Sequence, residues 1–368
     1  MRGLEGIIAA PTAICELDGI NGRLLYGGYD IADLAEHATF EDVVYLLWNG
    51  ELPTADQRAA LSGSLADQRA IPDQLVQSLR LYPRGANSMA ALRAAIAQLG
   101  LYDAESESID TVALRRIGMR LTAQLPTIVA ANQRIQEGRD PISPRRDLGH
   151  AANFLYMLSG REPSEGDARA LDVSLILYAE HEMNASSFAA RVAASTLSDI
   201  YSAVTAGVAT IKGPLHGGAG EAVMRTLEEI GTVENVEPFA TAALAAKRRF
   251  MGFGHRVYKN GDPRAVILRA MADEATQRTG DRKWFDMSVA LHGVVYREKK
   301  LHPNVDFYSA SLFAALGIPA ELNVPIITIA RIAGWTAQLF EQYADNRIFR
   351  PRAAYVGPAP RAFPRRGQ

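Results

Sequence analysis

Residues 251–264 read MGFGHRVYKNGDPR, and the rest of the chain is best understood as serving them. Gly252 and Gly254 bracket Phe253 and lead into His255. Glycine lets a backbone approach a ligand closely and take up positive φ. Three cations follow: Arg256, Lys259 and Arg264. Asp262 and Pro263 stand in the order of an N-cap and a first helical position, so a helix is expected from Pro263 with Arg264 in its first turn. A histidine, three cations and a helix N-terminus make a receptor for anions with a proton-handling group inside it. A solvated basic loop is the plainer alternative. The dinucleotide fingerprint fails, because its third glycine would fall at Val257, and the nucleoside-triphosphate loop spacing is absent.

Outward from this loop the pattern is helical. Asn21-Gly22 predicts a two-residue hairpin turn, between Ala13–Leu17 and Leu24–Tyr26. Thr39 opens a run that stops at Asn49-Gly50, and Thr54 with Gln57 forms a capping box. Further helices are expected at 87–99, closed by Gly100, and at 110–138, kinked or split by Pro126. Others are expected at 147–159, 167–179 and 201–211, the last suited to close helix packing, between subunits among the options. Gly213-Pro214 breaks the pattern, and 221–230 and 238–250 resume it. Helices at 263–279, 284–300, 307–316 and 325–343 follow, with Pro303 and Asn304 holding extended backbone before Asp306. The Pro- and Arg-rich tail from Arg350 is expected to wrap over something. One hairpin among so many helices argues for an all-α architecture.

A chain of 368 residues, 48% hydrophobic, can build a large core and two lobes. A formal net charge of −2 gives no reason to expect nucleic acid or an anionic membrane surface as partner. The lone Cys15 excludes an internal disulfide and fits a reducing compartment. Glu5 interrupts the N-terminal apolar residues, so no secretory leader is expected, and no apolar run reaches the roughly 18 residues of a membrane span. A soluble cytoplasmic protein is the expectation.

Seven histidines occur, and His181, His216 and His255 sit at helix breaks with small neighbours. His37, His150, His292 and His302 read as ordinary helix or loop residues. No metal is expected: His181-Glu182 begins a zinc motif whose second histidine position is Ala185. No nucleophile elbow of the GxSxG type occurs. His216, before a helix start, is expected to be neutral. Asp306 stands near the start of an apolar helix, where an ionised carboxylate is favoured; a plain helix cap is the alternative. Arg331 interrupts the apolar run 326–332 and requires a carboxylate from protein or ligand. Arg350 and Arg352 flank Pro351 in a tail that is otherwise read as solvated. Neutral imidazoles, one carboxylate and several arginines suit proton removal beside a carbonyl, with donors for the enolate and a grip on a di- or tricarboxylate.

Four blocks, HEMNASSFAAR, GPLHGGAGEAV, MGFGHRVYKNGDPR and PNVDFYSA, lie between a DGINGRLLYGG hairpin and an RPRAAYVGP tail. In this order they resemble the citrate synthase family, of the short bacterial and archaeal type, over nearly the whole chain. The resemblance implies a mostly helical homodimer. It implies a large domain of 1–216 and 312–368, and a small domain of 217–311 that closes over the substrates, oxaloacetate and acetyl-CoA. It implies Asp306 as the base on acetyl-CoA, His216 as donor to the thioester oxygen, and His255 as donor to the oxaloacetate ketone. His181, Arg264 and Arg331 become oxaloacetate binders, joined by Arg350 of the partner subunit. Gly252, Phe253, Gly254, Arg256 and Lys259 become contacts to coenzyme A. No cofactor is implied beyond that thioester, which is a substrate. The chain departs from the family at Gly220, where Asn is usual, and at AELNVP (320–325), where Phe-Thr-Pro is common. The N-terminal extension of the larger, NADH-inhibited relatives has no counterpart, which implies a dimer without that control. The alternatives are 2-methylcitrate synthase, using propionyl-CoA, and a non-catalytic helical binding protein on the same fold.

Overall fold

The computed structural model describes residues 3, 4 and 6–363. Three short strands, β1 Cys15–Asp18, β2 Arg23–Tyr26 and β3 Tyr29–Asp30, form one antiparallel sheet in sequence order. Sixteen α-helices follow among the described residues. The first eight are α1 Ile31–His37, α2 Phe40–Asn49, α3 Ala55–Asp67, α4 Asp73–Leu81, α5 Ser88–Leu99, α6 Thr111–Gln136, α7 His150–Ser159 and α8 Glu165–Tyr178. The others are α9 Ala185–Ser195, α10 Ile200–Ile211, α11 Ala219–Ile230, α12 Val236–Ala245, α13 Pro263–Thr279, α14 Lys283–Lys299, α15 Val305–Ala315 and α16 Asn323–Ala344. The all-α architecture is as the helical pattern predicts.

Helix α16 is the axle. It is buried on nearly every face and packs against α2, α6, α8, α9 and α10. A helix apolar all round belongs in a core. Gly207 on α10 lets the Trp335 indole lie against its backbone, so the small residues of α10 serve packing within this chain. No helix among the described residues is long and apolar enough to cross a membrane.

Local signals set most boundaries. Thr39 and Thr54 make the two capping boxes, and Asp262 caps α13 with Pro263 at its first position. Gly50, Gly160 and Gly280 end their helices in left-handed backbone, which glycine takes without strain.

Several expectations are corrected. The hairpin loop is four residues, 19–22, because Asp18 pairs with Arg23 and the Asp18 carboxylate accepts from the Ile20 and Asn21 amides. Helix α6 runs through Pro126 without a split, since close packing on α16 and α7 holds the turn that lost its donor. Gly100 closes α5 at the expected position and leads into a 3-10 turn that packs against Tyr201. Helix α7 starts only at His150, because Asp147 is tied to Arg145 in the preceding loop. Ser164 caps α8 before the expected start. Helix α12 stops at Ala245, ahead of a left-handed Lys247. Strand β3 and helices α1, α4 and α9 carried no expectation.

Candidate active site

The loop 251–262 and the segment 302–306 are laced together. The Gly254 amide donates to the His302 carbonyl at 2.8 Å, and the Asn304 amide donates to the Gly252 carbonyl at 2.8 Å. The Asn304 side chain donates to the Gly254 carbonyl at 2.9 Å while its oxygen caps α15. Gly252 has φ +82, and a Cβ there would lie 2.7 Å from Val223 Cγ2 and 3.0 Å from Phe307. Gly252→Ala is therefore expected to cost about 1–3 kcal/mol, from left-handed strain and overlap, and to slow turnover; thermal melting and kcat measured together check this. Phe253 packs on Phe307, with ring centres 4.4 Å apart. The Gly252 carbonyl and both backbone polar groups of Gly254 are thus taken up by 302–304. Lys259 and Arg256 are exposed, the Lys259 ammonium donating to the Arg256 carbonyl.

The tip of the hairpin holds this loop from the other side. The Lys259 amide donates to the Gly19 carbonyl at 3.0 Å, and the Asn260 side chain donates to the Ile20 carbonyl at 3.0 Å.

His255 sits half-buried in the loop. Its Nδ1 accepts from the Val257 and Tyr258 amides at 3.0 and 3.2 Å. A nitrogen that accepts carries no hydrogen, so Nε2 is the donor when the ring is neutral. Burial, then the Arg264 charge, lowers its pKa to about 4. His181, in the break between α8 and α9, is buried with its ring 5.2 Å from that of His255. Burial and the charges of Arg264 and Arg331 hold its pKa well below the usual value. Its Nε2 is buried without a hydrogen-bond partner. Tyr258 packs on both rings.

His216 follows the break after α10. The Ser186 amide donates to its Nε2 at 3.3 Å, with the Ser186 hydroxyl 2.8 Å from the same atom. The Trp335 indole donates to that hydroxyl at 3.2 Å. Nε2 is an acceptor here, so Nδ1 carries the hydrogen. Burial, then Arg331, lowers the pKa to about 4. The neutral imidazole expected at this position is found, but burial is its main cause.

Asp306, in the first turn of α15, accepts from the Tyr178 hydroxyl at 2.9 Å. Burial raises its pKa to about 6, against the Tyr178 hydrogen bond and the Arg264 charge. Burial is thus the largest influence on this carboxyl, which is still ionised at neutral pH. Arg331 is buried in α16, with Nε on the Tyr178 carbonyl at 2.8 Å and Nη1 without a partner. Arg264 is buried too, but Asp262 takes its Nε and Nη2 at 2.9 and 2.8 Å. Asp262 also accepts from the Val305 amide, so one carboxylate ties Arg264 to the start of α15. Arg350 lies in the exposed tail with Nη1 on the Pro351 carbonyl, and none of the contacts just described involves it.

Ser186 and Tyr178 were missed by sequence reasoning. Ser186 carried a usable signal, since Asn184 two residues earlier is an N-cap that places the Ser186 amide at a helix start. The two departures noted above prove to be neighbours: a Cβ at Gly220 would lie 2.7 Å from Asn323 Oδ1. Asn323 occupies the room that a side chain at 220 would need.

Beside His255 opens a cavity of about 160 Å³, bordered by Gly254, Lys259, Lys300, Leu301 and His302. The larger cavity of about 300 Å³, between Leu101 and Ser202, borders none of these side chains. No cluster of metal-ligand side chains occurs among the described residues. The arrangement can take a proton on a carboxylate, donate from two neutral imidazoles, and bind carboxylates at buried guanidinium groups.

Comparison with known proteins agrees with this chemistry. The family model "Citrate synthase, C-terminal domain" matches residues 3–352. Citrate synthase 2 of Bacillus subtilis is 48% identical over 98% of this chain and 97% of its own. The citrate synthase structure from Pyrobaculum aerophilum superposes with TM-score 0.92 at 41% identity, covering 98% of this chain and 93% of that one. A citrate synthase from Thermoplasma acidophilum, solved with carboxymethyl coenzyme A and oxaloacetate, gives 0.93 at 32% identity, covering 98% and 97%.

Proposed function

The chain belongs to the citrate synthase family, and from that membership we propose how its cleft divides the work. It is an acyltransferase that condenses acetyl-CoA with oxaloacetate. Asp306 takes a proton from the thioester methyl, and His216 Nδ1–H donates to the thioester oxygen as the enolate forms. The methyl carbon attacks the oxaloacetate ketone, whose oxygen takes a proton from His255 Nε2. Water then cleaves the thioester of citryl-CoA, releasing citrate and coenzyme A. Neutral imidazoles suit both donor tasks.

One observation carries the reading: Arg331 Nη1 and His181 Nε2 are buried without partners, among the charges and rings of Arg264 and His255. Buried polar groups of this kind are completed by water or by a ligand, and a substrate carboxylate would suit both. Arg264 Nη1, beyond the two nitrogens on Asp262, is the group that reaches a substrate carboxylate. Arg350 of the partner subunit completes the grip in a homodimer. The segment 217–311 closes over the rest after oxaloacetate binds. Gly252, Phe253 and Gly254 line the coenzyme A path, with Arg256 and Lys259 near its phosphates. No cofactor is needed, since base, donors and cationic grip are all side chains. The free, buried Cys15 fits a cytoplasmic setting.

A thiol-release assay with oxaloacetate and each acyl-CoA tests this. Acetyl-CoA is expected to give the higher kcat/KM, although one methylene in an apolar pocket is worth only about 1–3 kcal/mol. Faster propionyl-CoA turnover would move the assignment to 2-methylcitrate synthase, and no thiol with either would leave a binding protein. Because the carboxylate form of Asp306 is the base, kcat/KM is expected to fall as pH drops through about 6.

A further inference from the structure

We propose that Tyr178 is the positioning residue of the base: its hydroxyl aims the Asp306 carboxylate while its carbonyl aims Arg331. The inference rests on the reading of Asp306 as base and goes beyond it.

Tyr178 ends α8 and is fully buried. Its hydroxyl lies 2.9 Å from Asp306 Oδ1 and 3.0 Å from Ser309 Oγ. An ionised carboxylate only accepts, so the phenol must give Asp306 its single hydrogen. Burial, then the Asp306 charge, pushes the phenol pKa well above its usual value, so that hydrogen stays in place. The Ser309 hydroxyl, also 3.1 Å from the Asp306 carbonyl, is then free to donate to the phenol oxygen. Once Asp306 has taken a proton, the phenol turns its hydrogen to Ser309, and Ser309 turns its own to that carbonyl. Two hydroxyl rotors thus supply one hydrogen-bond pattern for each protonation state of the base, without movement of heavier atoms.

The neighbouring charges leave this role to Tyr178. Arg264 and Arg331 favour the carboxylate through space and Asp262 opposes it. His292, on α14, faces the other side of α15, with Nδ1 2.9 Å from the Tyr308 hydroxyl. The Tyr178 carbonyl meanwhile fixes Arg331 Nε, so one residue sets the base and the guanidinium in mutual register.

Tyr178→Phe keeps the ring and the carbonyl and removes only the donor. At saturating oxaloacetate, the acidic limb of kcat/KM for acetyl-CoA is expected to move up by about one pH unit. The oxaloacetate KM is expected to stay within about threefold, since the carbonyl contact to Arg331 survives. Ser309→Ala should move the limb the same way by less, and it decides the matter alone if Tyr178→Phe does not fold. A limb that stays in place, with or without lost stability or a raised KM, overturns the proposal. Asp306→Asn separates the two failures. If that variant is inactive and the limb is unmoved, only the role of Tyr178 falls; if it turns over normally, the assignment of the base falls.

Discussion

Asp306→Asn is expected to lower turnover by about two to four orders of magnitude, with oxaloacetate affinity changed only a few-fold. Asparagine has the size of aspartate and can still accept from Tyr178, so the cleft keeps its shape. It cannot take a proton from carbon at neutral pH. The groups proposed to bind oxaloacetate, His181 and Arg331, lie on other elements and keep their contacts. Calorimetric titration with oxaloacetate beside a thiol-release assay reads both quantities. Near-normal turnover would remove Asp306 from the mechanism. The variant should also reveal the energetic cost of the base. A carboxyl with a pKa of about 6 when folded and about 3.9 when unfolded favours the folded state only while protonated. That contribution is full below about pH 4 and is lost as pH rises through about 6. At pH 7 the native carboxylate therefore destabilises the fold relative to a neutral isostere. The variant is expected to melt a few degrees higher at pH 7, with the gap narrowing toward about pH 4.

What the sequence could disclose depends on how local the cause was. The caps at Thr39, Thr54 and Asp262 were legible because donor, acceptor and spacing all lie within about one turn. The hairpin loop was misjudged because its length answers partly to docking: a Cβ at Gly19 would sit 2.4 Å from the Val257 carbonyl. That α6 runs on unsplit through Pro126 could not be read locally, because the packing that holds it comes from distant helices. The same division runs through the site. His216, His255 and Asp306 could be singled out because each adjoins a break in helical pattern. Tyr178 reads as one more apolar residue in LILY until the fold sets its hydroxyl beside a residue 128 positions away. Gly220 and Asn323 read as two separate departures until their contact shows that they are one exchange of volume. For Arg264 the sequence supplied the cation but not its partner, although Asp262 stood two residues before it.

Arg331→Ala is expected to raise the apparent KM for oxaloacetate by roughly 30- to 1000-fold, equivalent to about 2–4 kcal/mol, with a much smaller effect on kcat. The guanidinium is buried in α16, and burial holds its pKa below the ordinary value, with Glu180 only partly compensating. A charge kept in that condition without a ligand is a standing cost to the fold. Its removal should therefore change the stability of the ligand-free protein little, because relief from the buried charge offsets lost packing and the unpaired Tyr178 carbonyl. A structural ion pair predicts the reverse: a large drop in melting temperature and an unchanged KM. Arg331→Lys is a second discriminator. An ammonium restores the charge but cannot hold Nε on the Tyr178 carbonyl while presenting a parallel donor to a carboxylate. Only partial recovery of KM is expected from it, and full recovery would mean that charge alone, without the planar fork, is what the substrate meets.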